Sequence, residues 1–209
     1  MSNGLMVRVS SGSTAAPFLE RELAAAVAAG SPTSASFAVR LGRGDYATFA
    51  AAPTADPLTD EVRHRIQPLL SAPVQGEAVE VLAHKPLEAR SDHVTKGLLM
   101  TFTPPPEDQP EVEDLLDAAR PLVEREEGTT AWYALRMADG GYGIFDVFPG
   151  SWARLRHLHG QIPLRLFGKG RGLLGGFPRV QLLDVVAATP GIPRRAQAEP
   201  EAAVRDAGG

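Results

Sequence analysis

The apolar residues of this chain follow two alternating patterns, short strand-like runs and longer stripes at helical spacing. Residues 4–9 and 97–102 are apolar runs that predict one strand each. Each run is followed by a helical stripe, two strand-like segments, a second helical segment and a last apolar strand. Each half of the chain is therefore predicted to have the order strand, helix, strand, strand, helix, strand, which is the ferredoxin-like plan.

The predicted helices are amphipathic segments in equivalent places of the two halves. A stripe that ends at Gly30 consists of Phe18, Leu19, Leu23, Ala26 and Val27. A stripe that ends at Gly128 consists of Val112, Leu115, Leu116, Ala119, Leu122 and Val123. The second helices are predicted over residues 56–70 and 151–167, after the paired strands of each half.

Residues 37–53 and 133–149 are similar to each other at a constant offset of 96 positions. Six of the seventeen positions are identical, where average composition would give about one. The identical pairs are Ala38 and Ala134, Arg40 and Arg136, Gly44 and Gly140, Tyr46 and Tyr142, Phe49 and Phe145, and Pro53 and Pro149. We therefore predict a degenerate N-terminal repeat at residues 1–88, a C-terminal repeat at residues 97–190 and a disordered tail at residues 191–209.

The strands of the second half carry apolar side chains on both faces. On one face lie Trp132, Ala134 and Ile144, and on the other lie Tyr133, Leu135, Phe145 and Val147. A four-stranded sheet with both helices on one side leaves its other face uncovered. We therefore predict an α+β fold in which two βαββαβ repeats pack sheet to sheet as a barrel within one chain. The whole chain is expected to be a monomer or a homodimer.

The composition narrows the class of protein. The 209 residues include no cysteine, which excludes disulfides, iron–sulfur clusters and thiolate zinc sites. The net charge of −4 argues against nucleic-acid binding, which usually needs a concentrated basic face. The sequence shows no secretory signal pattern and no apolar stretch of about 20 residues, so we expect a cytoplasmic protein without a membrane partner.

Residues 170–175 match the glycine pattern of dinucleotide-binding loops, but the context of such a loop is missing. Pro178 follows within three residues and leaves no room for the helix that the phosphates require. We therefore interpret this segment as a flexible loop.

Four segments of the second half together resemble a known protein family. They are residues 119–136, 142–149, 156–160 and 183–187. These segments resemble the antibiotic biosynthesis monooxygenase family, whose members are dimeric α/β-barrel proteins. The resemblance covers about 90 residues, and the first half resembles the family only as a degenerate copy, with Ser36 at the position of Trp132. It implies an intramolecular dimeric α/β barrel with one working pocket, in the second half.

The resemblance also implies an activity, the oxidation of quinol- or anthrol-type aromatic compounds by dioxygen without flavin, haem or metal. Such a reaction needs a base that deprotonates the substrate, because the anion is the species that passes an electron to oxygen. It also needs a group that stabilises developing anions and a dry aromatic pocket. The expected partners are therefore a small aromatic molecule and dioxygen, with no cofactor and no metal.

Candidate residues for these roles follow from the resemblance and from side-chain chemistry. His157 matches the family's histidine on the second helix and is the candidate base. Trp132 can stack on a planar substrate, and Arg136 can stabilise an anion. The remaining candidates for substrate contact are Tyr133, Tyr142, Phe145, Phe148 and His159.

Each candidate also has a purely structural interpretation. The aromatic residues can belong to the core, and His157 can pack or cap locally. Arg136 recurs as Arg40 in the first half, which favours an ion pair with a nearby carboxylate such as Asp146 or Glu124.

Two other functions are compatible with the sequence. One is a non-catalytic ligand-binding or structural barrel, because one fold can serve many roles. The other is haem degradation, which in related barrels usually uses an asparagine near the first strand with a tryptophan and a histidine. The only asparagine of this chain is Asn3, ahead of the first strand of the other half, which argues against haem degradation.

Overall fold

The computed structural model of the protein describes residues 2–10, 16–29, 35–52, 57–70, 73–88, 93–160 and 172–190. These ranges contain four helices: α1 (Ala16–Ala29), α2 (Pro57–Ile66), α3 (Gln109–Glu124) and α4 (Ser151–Leu158). They also contain eight strands: β1 (Ser2–Ser10), β2 (Ala35–Gly42), β3 (Asp45–Ala52), β4 (Gln75–Lys85), β5 (Lys96–Phe102), β6 (Ala131–Met137), β7 (Tyr142–Phe148) and β8 (Arg179–Thr189).

The eight strands form one closed barrel in which every neighbouring pair is antiparallel. Their order around the barrel is β1, β3, β2, β8, β5, β7, β6, β4. Within each half the order is fourth, first, third and second strand, as in a ferredoxin-like sheet. The two sheets join through β2 with β8 and through β4 with β6, so no strand edge is left unpaired. The predicted α+β architecture, with two βαββαβ units packed as a barrel in one chain, is confirmed.

The barrel interior is an apolar core to which both halves contribute. Phe37 and Phe49 of the first half contact Tyr133 and Phe145 of the second half, with ring centroids 5.0 to 5.8 Å apart. The geometries are mostly edge to face, which aromatic rings prefer. The uncovered inner face of each sheet is thus buried by the other sheet, which is the physical reason for the barrel.

Two further apolar layers lie between the barrel and its helices. The inward side of α1 packs on the first-half sheet through Leu19, Leu23, Ala26 and Val27. The inward side of α3 packs on the second-half sheet through Val112, Leu116, Ala119 and Val123. Phe18 was predicted to belong to the buried stripe of α1, and this prediction is wrong. Its side chain is 57% exposed, and the Arg21 guanidinium lies 5.5 Å from its ring centroid.

The second helix of each half is shorter than predicted. Helix α2 ends at Ile66, and a single 3-10 turn covers Gln67–Leu69, where Pro68 cannot donate an α-helical hydrogen bond. Helix α4 ends at Leu158 rather than at residue 167. Residues 161–171 and the predicted disordered tail at residues 191–209 lie outside the described residues. No helix in the described ranges is long and apolar enough to cross a bilayer.

The described part of the glycine-rich segment forms a turn. Gly175 has a φ of +70°, and a Cβ at this position would clash with the backbone oxygen of Thr103. This last glycine of the motif therefore serves a close backbone approach.

Candidate functional site

A cluster of polar side chains is buried between the second-half sheet and its helices. Asp146 and His157 are only 1% and 4% exposed, and Thr129 is fully buried. Asp146 lies on β7, and His157 lies on α4, which begins directly after β7. Because His157 follows Arg154 by three residues, both side chains lie on the sheet-facing side of α4. There the Arg154 guanidinium donates to the backbone oxygens of Gly97 and Leu183, so a polar helix face is turned toward the sheet.

One ring nitrogen of His157 is held by an acidic partner. The Nδ1 atom lies 2.7 Å from Oε2 of Glu126, which is in the turn after α3. The Thr129 hydroxyl donates to the same carboxylate oxygen at 2.8 Å and lies 3.1 Å from Nδ1. A carboxylate accepts only, so Nδ1 carries the proton in this hydrogen bond. The Nε2 atom is therefore the nitrogen available for chemistry.

The Nε2 atom of His157 faces the carboxyl group of Asp146. Nε2 and Oδ1 of Asp146 are 3.8 Å apart, which is too long for a hydrogen bond. Neither carboxyl oxygen of Asp146 has a hydrogen-bond partner among the described residues. Burial raises the pKa of Asp146 to about 7, and the charge of Glu126 acts in the same direction. A carboxyl group that is neutral over part of the physiological pH range thus lies beside the histidine.

The other titratable groups of the cluster are shifted by burial and by each other. Burial lowers the pKa of His157, but the charge of Asp146 and the hydrogen bond to Glu126 raise it above its usual value overall. Burial raises the pKa of Glu126, but the hydrogen bond and charge of His157 lower it overall. Burial lowers the pKa of Lys85, whose ammonium donates to the backbone oxygens of Val123 and Glu126.

Trp132 and Phe148 form the apolar wall of this cluster. Trp132 is paired with Asp146 across β6 and β7 and is 1% exposed, so both side chains lie on the helix-facing side of the sheet. Phe148 is fully buried, and its ring centroid is 5.2 Å from that of His157. The structure therefore brings together three of the predicted residues, His157, Trp132 and Phe148.

Arg136 lies elsewhere, at the seam where the two halves meet. Its guanidinium is 3.2 Å from carboxylate oxygens of Glu80 on β4 and of Glu113 on α3. Its partners are thus neither Asp146 nor Glu124. The Tyr142 hydroxyl donates to Glu113 at 2.7 Å, and burial together with this bond raises the pKa of Tyr142 to about 12.

The other seam carries an equivalent set of contacts. Arg40 pairs with Glu20 on α1 and with Asp184 on β8 of the other half, at 2.9 Å each. The Tyr46 hydroxyl donates to the same Glu20 at 2.9 Å. In both halves an arginine and a tyrosine share a helix carboxylate, and the arginine also reaches a strand carboxylate of the other half. This favours the structural interpretation of Arg136.

We expect Arg136→Gln and Arg40→Gln to lower the free energy of unfolding by similar amounts, about 1 kcal/mol each. Both arginines are partly exposed, so solvent reduces the value of their ion pairs. Urea unfolding of the two variants at low and at high salt measures the effect, which should shrink as salt increases. A loss confined to one of the two variants would show that the seams are not equivalent.

The remaining predicted residues lie apart from His157. Tyr133 and Phe145 point into the barrel interior, on the opposite face of the sheet. His159 is exposed at the end of α4, where its Nδ1 atom is 2.9 Å from the backbone oxygen of Leu155. These three residues were predicted to contact substrate, and in the described structure they do not share a site with His157.

A cavity of about 440 Å³ opens at one end of the barrel. Its polar lining includes Arg8, Glu77, Asp139 and Arg179, and its apolar lining includes Phe102 and Tyr142. Tyr142 and Asp146 are four residues apart on β7, a separation of about 13 Å along a strand. This cavity, which residues of both halves line, and the buried cluster are therefore two separate places. No group of three or more metal-ligating side chains that could hold an ion is found within the described ranges.

The groups that surround His157 were not among the candidates predicted from the sequence. Asp146 is a charged residue in the otherwise apolar segment of β7, and that isolated charge is a signal that could have identified it. Glu126 and Thr129 lie in a turn and carry no comparable signal. Lys85 is one of several charged residues at a strand end, and only the closure of the barrel places β4 beside β6.

Comparisons with known proteins find similarity in structure but not in sequence. No protein-family model matches the sequence, and no curated protein matches it. A candidate monooxygenase from Lactobacillus acidophilus NCFM superposes with a TM-score of 0.73 at 9% identity, over 91% of this chain and 97% of that one. An anthrone oxidase-like protein superposes with a TM-score of 0.64 at 14% identity, over 90% and 93% of the two chains.

A third similar structure belongs to a protein that is described by its fold. It is an uncharacterized ferredoxin-fold protein from Listeria monocytogenes 4b F2365, related to antibiotic biosynthesis monooxygenases. The superposition has a TM-score of 0.57 at 7% identity and covers 88% of this chain and 95% of that one. The chain therefore has the ferredoxin-fold barrel found in proteins related to the antibiotic biosynthesis monooxygenases.

Proposed function

We propose that this protein is a cofactor-independent monooxygenase that oxidises a small quinol- or anthrol-type aromatic compound with dioxygen. The observation that carries the proposal is His157, a buried histidine whose Nδ1 atom is fixed by Glu126 and whose Nε2 atom is left for proton transfer. Structural neighbours described as a candidate monooxygenase and as anthrone oxidase-like support the same reaction class.

His157 is the base in this proposal. Its Nε2 atom takes the proton of the substrate, and the resulting imidazolium is stabilised by the carboxylate of Glu126 on the other nitrogen. Trp132, on the strand beside His157, offers an aromatic face against which the planar substrate anion stacks. Arg136 has no part in this mechanism because its guanidinium is paired with Glu80 and Glu113.

Substrate binding in this proposal requires a movement of α4, because His157 on this helix is buried and its Nε2 atom faces the buried carboxyl group of Asp146. The helix has only eight residues, and its outer side carries the exposed side chains of Trp152 and Leu155. It is held on the sheet by Arg154 and by the His157 contacts. An outward displacement of α4 would admit a flat molecule beside Nε2. The return of the helix would restore the contact of His157 with Glu126 and exclude bulk water before proton transfer.

The alternative function is a non-catalytic ligand-binding barrel. The observation that favours it is the cavity at the end of the barrel, which lies apart from the buried histidine and is already open. In that case the polar cluster around His157 is a structural element of the core.

The test is turnover of quinols and anthrols by the metal-free protein under labelled dioxygen, with label in the product measured by mass spectrometry. We expect wild type to insert one labelled oxygen atom, and His157→Gln to lose at least about 100-fold in rate. Trp132→Phe should raise KM more than it lowers kcat, because it removes stacking area. His159→Gln is the matched control, since this exposed histidine two residues away should be dispensable.

Two outcomes would overturn the assignment. Absence of label above background with wild type would reject the monooxygenase, and equal rates for wild type and His157→Gln would reject His157 as the base. Titration with haem gives an independent check, because a Soret shift on binding would favour haem chemistry in place of the proposed reaction.

A further inference from the structure

The carboxyl group of Asp146 is the feature of this site that the base mechanism leaves unused. It is fully enclosed, and neither oxygen meets a hydrogen-bond partner among the described residues. A buried carboxylate without hydrogen-bond partners is costly, and this cost outweighs the charge of His157, which favours the ionised form. The pKa of Asp146 is therefore raised to about 7, and the neutral form is favoured below that pH. The neutral form carries an O–H donor. The carboxyl oxygen Oδ1 lies 3.8 Å from the reactive nitrogen of His157, and neither carboxyl oxygen is hydrogen-bonded to another described residue.

The charged groups that face Asp146 from the packed elements already have partners. His157 on α4 and Glu126 after α3 are joined by a 2.7 Å contact. Lys85 at the end of β4 donates to two backbone oxygens at the end of α3. The hydroxyl of Thr129 donates to Glu126. Within the described cluster, the carboxyl group of Asp146 is thus left without a hydrogen-bond partner, and its Oδ1 atom lies 3.8 Å from Nε2.

We propose that Asp146 is a catalytic residue of this site, the general acid that protonates the leaving oxygen while His157 acts as the base. The inference rests on the proposed function and adds a second proton-transfer residue to it. A substrate oxygen placed beside this pair, at the apex of a triangle with sides of about 2.8 Å, can lie within hydrogen-bond distance of both Nε2 and the carboxyl group, because the two groups are only 3.8 Å apart.

The reaction of a substrate with an activated methylene group shows why two residues are needed. Nε2 of His157 takes one proton from the methylene carbon, and the carbanion transfers its electrons to dioxygen as a C–O bond forms. The peroxide anion takes that proton back and becomes a hydroperoxide.

His157 then removes the second proton, the C=O bond forms, and the O–O bond breaks. The departing hydroxide takes the proton of Asp146 and leaves as water. The imidazolium of His157 returns its proton to Asp146, so both groups are reset. The carbon loses two hydrogens and gains one oxygen, and the other oxygen of dioxygen becomes water.

Asp146→Asn tests this assignment, because an amide has nearly the same shape as the carboxyl group but cannot transfer a proton. We expect ketone formation to slow by at least about 100-fold. We also expect the early steps to continue, so that a hydroperoxide carrying both labelled oxygen atoms accumulates. Asp117→Asn, a surface change on α3, is the matched control and should behave as wild type.

The outcomes separate this inference from the proposed function. Normal ketone formation by Asp146→Asn without hydroperoxide would overturn the role of Asp146 and leave the monooxygenase intact. No oxidation by wild type would overturn both.

If Asp146→Asn does not fold, the wild-type protein supplies the test. The rate of ketone formation from the hydroperoxide should fall as pH rises through the pKa of Asp146 and should be slower in deuterium oxide. A rate without either dependence would overturn the inference.

Discussion

Phe49→Ala is expected to lower the free energy of unfolding of the whole chain by about 3 to 5 kcal/mol. Phe49 is 2% exposed, and it lies within 5.4 Å, centroid to centroid, of Tyr133 and Phe145 of the other half. Removal of its ring leaves a cavity in the centre of the barrel. Because the eight strands form a closed barrel, they cannot move inward to fill this cavity. For a domain of this size the melting temperature should fall by roughly 10 °C or more.

The same experiment tests whether the two halves are one folding unit. Because the aromatic core is shared, we expect one cooperative transition, with tryptophan fluorescence changing together with circular dichroism. Both tryptophans, Trp132 and Trp152, lie in the second half, so this signal reports on that half. Phe18→Ala is the control, since this ring is 57% exposed on α1 and its removal should cost less than about 1 kcal/mol. Two separate transitions, with the second-half signal unaffected by Phe49→Ala, would contradict a shared core.

Asp146→Asn is expected to be more stable than wild type at pH 8 and to lose this advantage at pH 4. The folded-state pKa of Asp146 is about 7, whereas an aspartate in an unfolded chain has a pKa near 3.9. Between these values the folded protein holds a proton that the unfolded chain has released, so wild-type stability falls as pH rises. Above pH 7 the full cost is present, on the order of 2 to 4 kcal/mol, and the amide avoids it.

Other groups titrate in the same pH range and also change the free energy of unfolding. The difference between wild type and Asp146→Asn removes most of their contribution, because both proteins contain these groups. The raised pKa of His157 stabilises the fold below the unfolded value of about 6.5, and this contribution is lost as pH rises through the folded pKa. Burial lowers the pKa of His84, which has the opposite effect. Both histidines are present in wild type and in Asp146→Asn, although His157 loses the charge of Asp146 in the variant.

Urea unfolding of both proteins from pH 4 to pH 8 measures the difference directly. Asp117→Asn, at an exposed carboxylate, should follow the wild-type curve throughout. A difference between Asp146→Asn and wild type that stays constant with pH would show that Asp146 does not carry a displaced pKa. This experiment needs no substrate, so its result is independent of the proposed activity.

Much of the fold can be predicted from local patterns. The two orders of strands and helices follow from apolar spacing, and the strands that are apolar on both faces imply that each sheet needs a second cover. The predictions that were wrong concern the ends of helices. The extent of α4 and the exposure of Phe18 depend on which part of each helix meets the sheet, and a stripe of apolar letters does not specify that contact.

The candidate site was predicted only in part, for an identifiable reason. Trp132 and Tyr133 are neighbours on β6 and must point to opposite faces, but both faces are apolar, so the sequence does not say which one is the barrel interior. The seam partners of Arg136 come from α3 and from β4 of the other half. Contacts between residues so far apart in the chain exist only after the barrel closes.

The sequence by itself determined the α+β class, the two equivalent sets of elements and the need for the halves to cover each other. It also identified His157 and Trp132 as chemically interesting residues, through the resemblance of short segments. Only the tertiary structure decided that Glu126 holds one nitrogen of His157 and that Asp146 faces the other. Alternation and spacing fix which face of an element is apolar, whereas the environment that shifts a pKa is set by what is brought against that face.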